Sequence, residues 1–384
     1  NPTDFNADGW MKFFQNAGFR TFAITTKHHE GFSLWDTKTR VVRRPNYTSP
    51  EGLKIEECDV AYSVMETPFK RDIIKELTDA ARNYPIKVNL YYSHSDWYDA
   101  DFRPYGRHPL QWEGSPGLKQ LKERQPYPIE FVSAPGKEER ERLIARHRAQ
   151  LRELLTNYGK VDMLCFDINL GADVWPGLKQ TIKELRALQP DIMFRNRGLG
   201  NYGDYHTPER VVPSDNSANS MPWMVIYPLG SHFSYDPDPA THKGAKWVID
   251  NLVDSVAKGG NFMVGIGPDA TGKFHPTAIA QLEEVGAWLK ANGECIFNTH
   301  NLPGELYKDG DDVRVTASDD KKHVYAISLT RPQAKLKLSS VRAAADSKVY
   351  LLGHDAPLAW RVSGEGIEID FPAGAKESLA YPIK

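Results

Sequence analysis

Residues 20–30 read RTFAITTKHHE. The apolar and threonine-rich run RTFAITT (20–26) fits a strand and is too short for a core helix. It ends on Lys27, His28, His29 and Glu30, more polarity than a buried strand can use. Such groups belong at a strand end, where they face a ligand, hold a metal or meet solvent. Adjacent histidines cannot point the same way along an extended strand, so either they face apart or the chain bends there.

The same unit recurs outward from this stretch. Trp10, Met11, Phe13 and Phe14 mark one face of a short helix closed by Ala17-Gly18. FKRDIIKELTDAA (69–81) has helical apolar spacing, Pro85 stops it, and IKVNLYYS (86–93) reads as the next strand. A helix over 138–157, the strand VDMLCFD (161–167), a helix over 176–188 and the strand DIMFRN (191–196) follow. VVPSD (211–215) and WMVIYP (223–228) are shorter strand candidates. A helix over 243–257, the buried strand GGNFMVGIG (259–267) and a helix over 276–291 complete the series. Strands alternating with helices predict βαβ units and a parallel sheet. Seven strands in such a series fit a (β/α)8-like barrel lacking its first strand better than a doubly wound sheet. No GxGxxG follows the first strand and no Walker A motif occurs, which argues against nucleotide binding. Residues 99–136, rich in Pro, Gly and charge, read as a long loop excursion.

After about residue 300 the period changes to two. VRVTAS, KHVYAISL, AKLKLSS, KVYLLG, LAWRVS and GIEIDFP alternate between turns, the pattern of an antiparallel β-sandwich. The expected domains are therefore a barrel over 1–299 and a sandwich over 300–384. A net charge of -2 gives no long-range pull on nucleic acid or an anionic membrane. No apolar run reaches the length of a membrane span. Cys58, Cys165 and Cys295 are odd in number and far apart, which fits neither a disulfide framework nor a zinc ribbon. The chain starts at Asn1 without methionine and reads as a processed or trimmed product.

In a β/α barrel the chemistry sits at the C-terminal ends of the strands. That rule gathers Lys27-His28-His29-Glu30, Tyr91-Tyr92-Ser93-His94 with Asp96-Trp97, Asp167, Arg195-Asn196-Arg197 and Asp215 into one pocket. Asp167 is the sharpest candidate, because a carboxylate closing an apolar run must be hydrogen-bonded or solvent-facing. Its bland alternative is a capping or salt-bridged aspartate. HHE offers metal donors, but neither HExxH nor a cysteine pair accompanies it, so no metal and no cofactor is expected. Glycoside hydrolysis needs two carboxyl groups, one to protonate the leaving oxygen and one to attack the anomeric carbon or activate water. Histidine and arginine then bind ring hydroxyls, which puts Arg197 among the expected substrate contacts.

The ordered motifs resemble the α-L-fucosidases of glycoside hydrolase family 29. KHHEGFSLWD, FKRDIIKELTDAA with VNLYYSHSDW, YGKVDMLCFD, DSVAKGGNFMVGIGPDATG with WLKANGECIF, and KVYLLGHDAPLAW carry that resemblance over nearly the whole chain. It implies a retaining exo-hydrolase of α-L-fucosides or of a close relative such as an α-L-galactoside, acting on an oligo- or polysaccharide outside the cytoplasm. It implies that Asp167 is the nucleophile, that His28 and His29 bind sugar hydroxyls, that Tyr91 or Tyr92 lies near the ring, and that Trp35 walls the pocket. Three departures stand out. Nothing here matches the family's earlier strand with its tryptophan and histidine. Cys165 stands where the family usually has tryptophan, and Ile168-Asn169 follows where the family has glycine. In PWMVIYPLGSHFSYDPDPATH, Met224 replaces the usual glutamate. The expected acid/base is therefore Asp238, with Asp236, Glu209, Asp204, Asp215 and Glu113 as alternatives. A non-catalytic glycan-binding protein on a degenerate scaffold and a metal-dependent hydrolase at His28, His29 and Glu30 are the rival readings.

Overall fold

The computed structural model describes residues 1–46, 54–103, 136–214 and 221–384. The chain divides into two units. One holds Asn1, Asn6–Gln15 and Phe19–Asp204, and the other holds Pro2–Phe5, Asn16–Gly18 and Tyr205–Lys384.

The first unit opens with α1 (Ala7–Asn16) and β1 (Thr21–Lys27). An antiparallel hairpin of β2 (Val41–Asn46) and β3 (Lys54–Val60) follows, then α2 (Ile73–Ala81) and β4 (Lys87–Ser93). Next come α3 (Lys137–Thr156), β5 (Met163–Asp167), α4 (Trp175–Leu188) and β6 (Met193–Phe194). β1, β4, β5 and β6 form one sheet in that order, and every neighbouring pair is parallel. The helices between them are the crossovers that parallel strands require. α2 starts where Asp72 accepts the Lys75 N–H at 2.8 Å, and it buries Ile74, Leu77, Ala80 and Ala81. Pro176 opens α4, where its missing N–H costs nothing.

The hairpin is a structural finding that the sequence reading lacks. It pairs Arg43 with Glu57 and Arg44 with Glu56, so opposite charges replace the apolar alternation that marks a half-buried strand. Of the stretch 99–136, only 99–103 and 136 are among the described residues, with a short 3-10 turn at Ala100–Phe102.

In the second unit β7 (Met224–Pro228) and β8 (Asn261–Gly265) are parallel, joined through α5 (Gly244–Ala257), and α6 (Pro276–Asn292) follows. The strand expected at 211–215 is not found at 211–214; Asp215 lies outside the described residues. The pairing sits earlier. His206 bridges Trp223 and Glu209 bridges Ile226, both in parallel sense, with the Met224 N–H donating to the His206 carbonyl at 3.1 Å and the Arg210 N–H to the Ile226 carbonyl at 3.0 Å. Proline at 208 and the polar side chains of His206, Thr207, Glu209 and Arg210 hide this segment from an apolar strand search.

From Thr299 onward the unit is antiparallel. β9 (Thr299–Asn301), β10 (Lys308–Asp309), β11 (Val313–Ser318), β12 (Val324–Ser328) and β16 (Tyr381–Ile383) make one sheet, and β13 (Lys335–Leu338), β14 (Trp360–Ser363) and β15 (Gly366–Asp370) make the other. Val313, Val315 and Ala326 of the first meet Leu338, Ile367 and Ile369 of the second in one buried core, which is the expected sandwich. KVYLLG contributes only the isolated bridges Val349–Leu358 and Leu351–Ile383.

Candidate active site

The register of the first sheet sets Ser93 opposite Asp167, Thr25 opposite Tyr91 and Lys27 opposite Tyr92, so three C-terminal strand ends lie side by side. The register shifts between Thr25 and Lys27, and the chain then turns, with the Gly31 N–H donating to the His28 carbonyl at 3.1 Å. The chain therefore bends, and the two histidine rings stand together with centroids 3.9 Å apart. The turn needs glycine at 31: its φ is +90°, and an added Cβ would meet an Asp96 carboxylate oxygen at 2.1 Å.

Asp167 is 9% exposed. Tyr91 Oη donates to its Oδ2 at 2.7 Å, and Arg197 Nη1 donates to its Oδ1 at 2.8 Å. Arg195 Nη1 is 3.8 Å from Oδ1, and His29 Nε2 is 3.9 Å from Oδ2. Burial opposes ionisation, but the hydrogen bonds from Arg197 and Tyr91 and the two guanidinium charges together hold the carboxyl at about 2. Asp167 is thus a carboxylate at any ordinary pH. Burial, and then the Asp167 charge, push the Tyr91 phenol well up, so it remains a donor. His29 Nδ1 lies 2.7 Å from Ser93 Oγ, and burial, then the neighbouring His28, lower it to about 4, which keeps it neutral. His28 is half exposed, lies 3.4 Å from Glu30 through Nδ1, and its ring runs nearly parallel to Tyr91 with centroids 5.7 Å apart.

Asp167, Tyr91, His28, His29 and Arg197 are therefore brought together, and Arg195 and Ser93 join them. Two expected contacts are not there. Tyr92 points to the other face of β4, fully buried, and donates to Gln150 of α3 at 2.7 Å. Trp35 is also fully buried, and its indole N–H donates to Glu153 of the same helix at 2.9 Å. Neither presents a ring face to a sugar. Ile168, which follows Asp167, has φ +66°, a left-handed backbone that costs a β-branched residue of order 1–3 kcal/mol and glycine almost nothing.

Beneath the strand ends lies a second polar layer. Asp96, fully buried, accepts Arg146 Nη1 at 2.7 Å and lies 3.5 Å from the buried Lys27 ammonium, with Asp99 also on Arg146 at 3.2 Å. His94 and His147 share a 2.9 Å contact between Nδ1 and Nε2. Burial lowers His94 to about 4 and His147 further, the latter also through His94. Unfolded imidazoles titrate near 6.5. Between those values the unfolded chain binds protons that the folded chain refuses, so stability rises with pH there. Urea midpoints should fall steadily as pH is lowered from about 6.5 to about 4; a flat profile over that window would contradict the burial of these rings.

The other carboxyl candidates differ in kind. Asp204 pairs with Arg186 at 2.9 Å and accepts the Phe194 N–H at 2.7 Å, fixing the end of β6. Asp236 accepts from the Ser231 and Thr241 hydroxyls, at 2.5 and 2.7 Å, and from the Ser231 and Asp238 N–H groups, and these bonds hold it far below the usual carboxylate range. Asp238 is exposed and caps a short turn by accepting the Ala240 N–H at 2.9 Å. Glu209 is exposed on the segment that pairs with β7. Asp215 and Glu113 lie outside the described residues. Among the described residues no three His, Cys, Asp or Glu side chains converge as metal ligands, and no helix is long and apolar enough to cross a membrane.

A carboxylate held ionised at a strand end beside neutral histidine, tyrosine and arginine is an arrangement suited to attack on a sugar ring. Comparison with known families decides between the readings: residues 1–294 match the alpha-L-fucosidase family and 309–383 match the alpha-L-fucosidase C-terminal domain. The chain belongs to the alpha-L-fucosidase family. It is a glycoside hydrolase of the fucose-releasing type, and its substrate is a glycan. It is 29% identical over 384 residues to a plasma alpha-L-fucosidase of Rattus norvegicus, covering 96% of this chain and 73% of that one. Among solved structures it resembles alpha-L-fucosidase isoenzyme 1 of Paenibacillus thiaminolyticus, with 27% identity, TM-score 0.80, and coverage of 100% of this chain and 86% of that chain. It also shares its fold with a Bacteroides thetaiotaomicron alpha-L-fucosidase trapped as a covalent intermediate with 2-fluoro-fucosyl fluoride, at 24% identity and TM-score 0.74, covering 100% of this chain and 83% of that one. The fold is that of these fucosidases, a (β/α)8-like barrel with a C-terminal antiparallel sandwich.

Proposed function

We propose that this fucosidase works by retention, with Asp167 as the nucleophile. In the first step an Asp167 oxygen bonds to C1, the glycosidic C1–O bond breaks, and the departing oxygen takes a proton from a carboxylic acid. In the second, water bonds to C1 and gives its proton to that carboxylate, and the C1–O bond to Asp167 breaks with its electron pair returning to the aspartate. The observation that carries this reading is Asp167 itself, an ionised carboxylate held by Tyr91 and Arg197 at a strand end. The trapped intermediate of the Bacteroides relative supports it. His28 and His29 are the hydroxyl-binding groups, and Arg197 holds the nucleophile.

For the acid/base we place Glu209 ahead of Asp238. Glu209 stands on a segment paired in parallel with β7, a strand position of the kind that carries chemistry in barrels, whereas Asp238 stands at the start of a short 3-10 turn, off the strands. The test compares Glu209→Ala and Asp238→Ala on aryl α-L-fucosides with good and poor leaving groups. Loss of the acid slows the poor leaving group by about 10²–10⁴-fold and spares the good one. That pattern is expected of Glu209→Ala; finding it in Asp238→Ala instead would reverse the assignment. Aryl α-L-galactoside run alongside names the sugar. We further propose that 1–299 carry this chemistry and 300–384 support it, and that the protein works in the periplasm or outside the cell, or in a lysosome if eukaryotic.

A further inference from the structure

Arg195 is nearly as buried as any charged residue of the first unit, at 1% exposure, yet among the described residues its nearest carboxylate oxygen is Asp167 Oδ1 at 3.8 Å. Its Nη1 donates to Cys165 Sγ at 3.3 Å and stops 3.8 Å from Asp167 Oδ1. Its Nε and Nη2 have no hydrogen-bond partner among the described residues, and Asp167 is the one carboxylate there within 4 Å of it. A buried guanidinium so placed is stabilised chiefly by the negative charge of Asp167. Arg197 already supplies the short, directional hydrogen bond on the same oxygen. Arg195 therefore adds charge without adding a bond that must break when the carboxylate attacks.

That charge acts differently on the two chemical steps. In the glycosyl-enzyme the Asp167 oxygen is an ester and carries little charge. When water attacks C1, the pair of electrons returns to Asp167 and the full negative charge reappears facing Arg195. We propose that Arg195 is a positioning residue that makes Asp167 a good leaving group in the second step, so that the covalent sugar is released quickly and does not accumulate. The proposal rests on Asp167 being the nucleophile. Loss of the charge would slow departure and leave attack unharmed or slightly faster, because a less stabilised carboxylate is the better nucleophile.

The test uses the full chain, its Arg195→Gln and Arg195→Lys variants, and 2-fluoro-fucosyl fluoride. Adduct formation and reactivation after removal of excess reagent are timed separately. The expected result is adduct formation within about threefold of the unaltered protein, reactivation slowed about tenfold in Arg195→Gln, and partial recovery in Arg195→Lys. With an aryl fucoside, kcat falls, kcat/KM holds and a burst of phenol appears in Arg195→Gln. A structural role would lower formation and reactivation together in both variants, and that result, or an unchanged reactivation rate, overturns the proposal. If the unaltered protein carries its adduct on a residue other than Asp167, the nucleophile assignment fails first, and this proposal with it.

Discussion

Asp167→Ala is expected to lower kcat/KM on an aryl α-L-fucoside by about 10⁴-fold or more, with the protein still folded by circular dichroism. An aryl leaving group departs with little protonation, so the loss measures the nucleophile and not the acid. Azide should restore part of the turnover by entering the space of the missing carboxylate, giving a fucosyl azide of opposite anomeric configuration. The size of the effect follows from the surroundings of Asp167. Tyr91, Arg197 and Arg195 converge on this carboxylate and hold it ionised and oriented at the strand end. Retained activity in the variant would mean that Asp167 is a structural anchor for two arginines.

The largest effect on stability is expected for Asp96→Ala. The Asp96 carboxylate faces the Lys27 ammonium and Arg146 guanidinium, and it also accepts the N–H groups of Tyr98 and Asp99 at 3.1 and 3.0 Å. Removing it leaves two buried cations without that partner, a change that costs about 3–5 kcal/mol when one side of a buried pair is deleted. Urea unfolding measures this directly; a loss below about 1 kcal/mol would show that water already reaches these charges. Activity should fall with stability, because the same loop holds His29: the Trp97 N–H donates to the His29 carbonyl at 2.7 Å.

The network explains which parts of the site were legible in the sequence. Asp167 could be read because a carboxylate ending VDMLCF breaks an apolar run at the one place where a barrel puts chemistry. The pair Tyr91-Tyr92 could not be resolved, since strand alternation assigns opposite faces without saying which is inward. Only the partners decide: Asp167 for Tyr91, Gln150 for Tyr92. Two adjacent histidines leave either a bend or opposite faces open; the chain bends after Lys27, and Gly31 accommodates the turn at φ +90° with Asp96 packed against it.

Helix α3 is the instructive case. Arg146, His147, Gln150 and Glu153 look like its solvent face, but they reach Asp96, His94, Tyr92 and Trp35 in turn. A helix that buries a polar stripe defeats any reading based on apolar periodicity. That is why Trp35, in a signature rich in site residues, reads as a pocket wall and is instead buried and hydrogen-bonded to Glu153 of α3. The hairpin β2–β3 and the strand-like segment at 206–210 escaped for a related reason, since charge pairs and Pro208 stand where apolar residues would signal pairing.

The most direct measurement is to incubate the full-length protein with 2-fluoro-fucosyl fluoride, digest it and locate the added mass by tandem mass spectrometry. A retaining fucosidase with this site should carry one fucosyl adduct on Asp167, in the peptide containing YGKVDMLCFD. An adduct on another carboxylate, or time-dependent release of product with inverted configuration and no adduct, would contradict it.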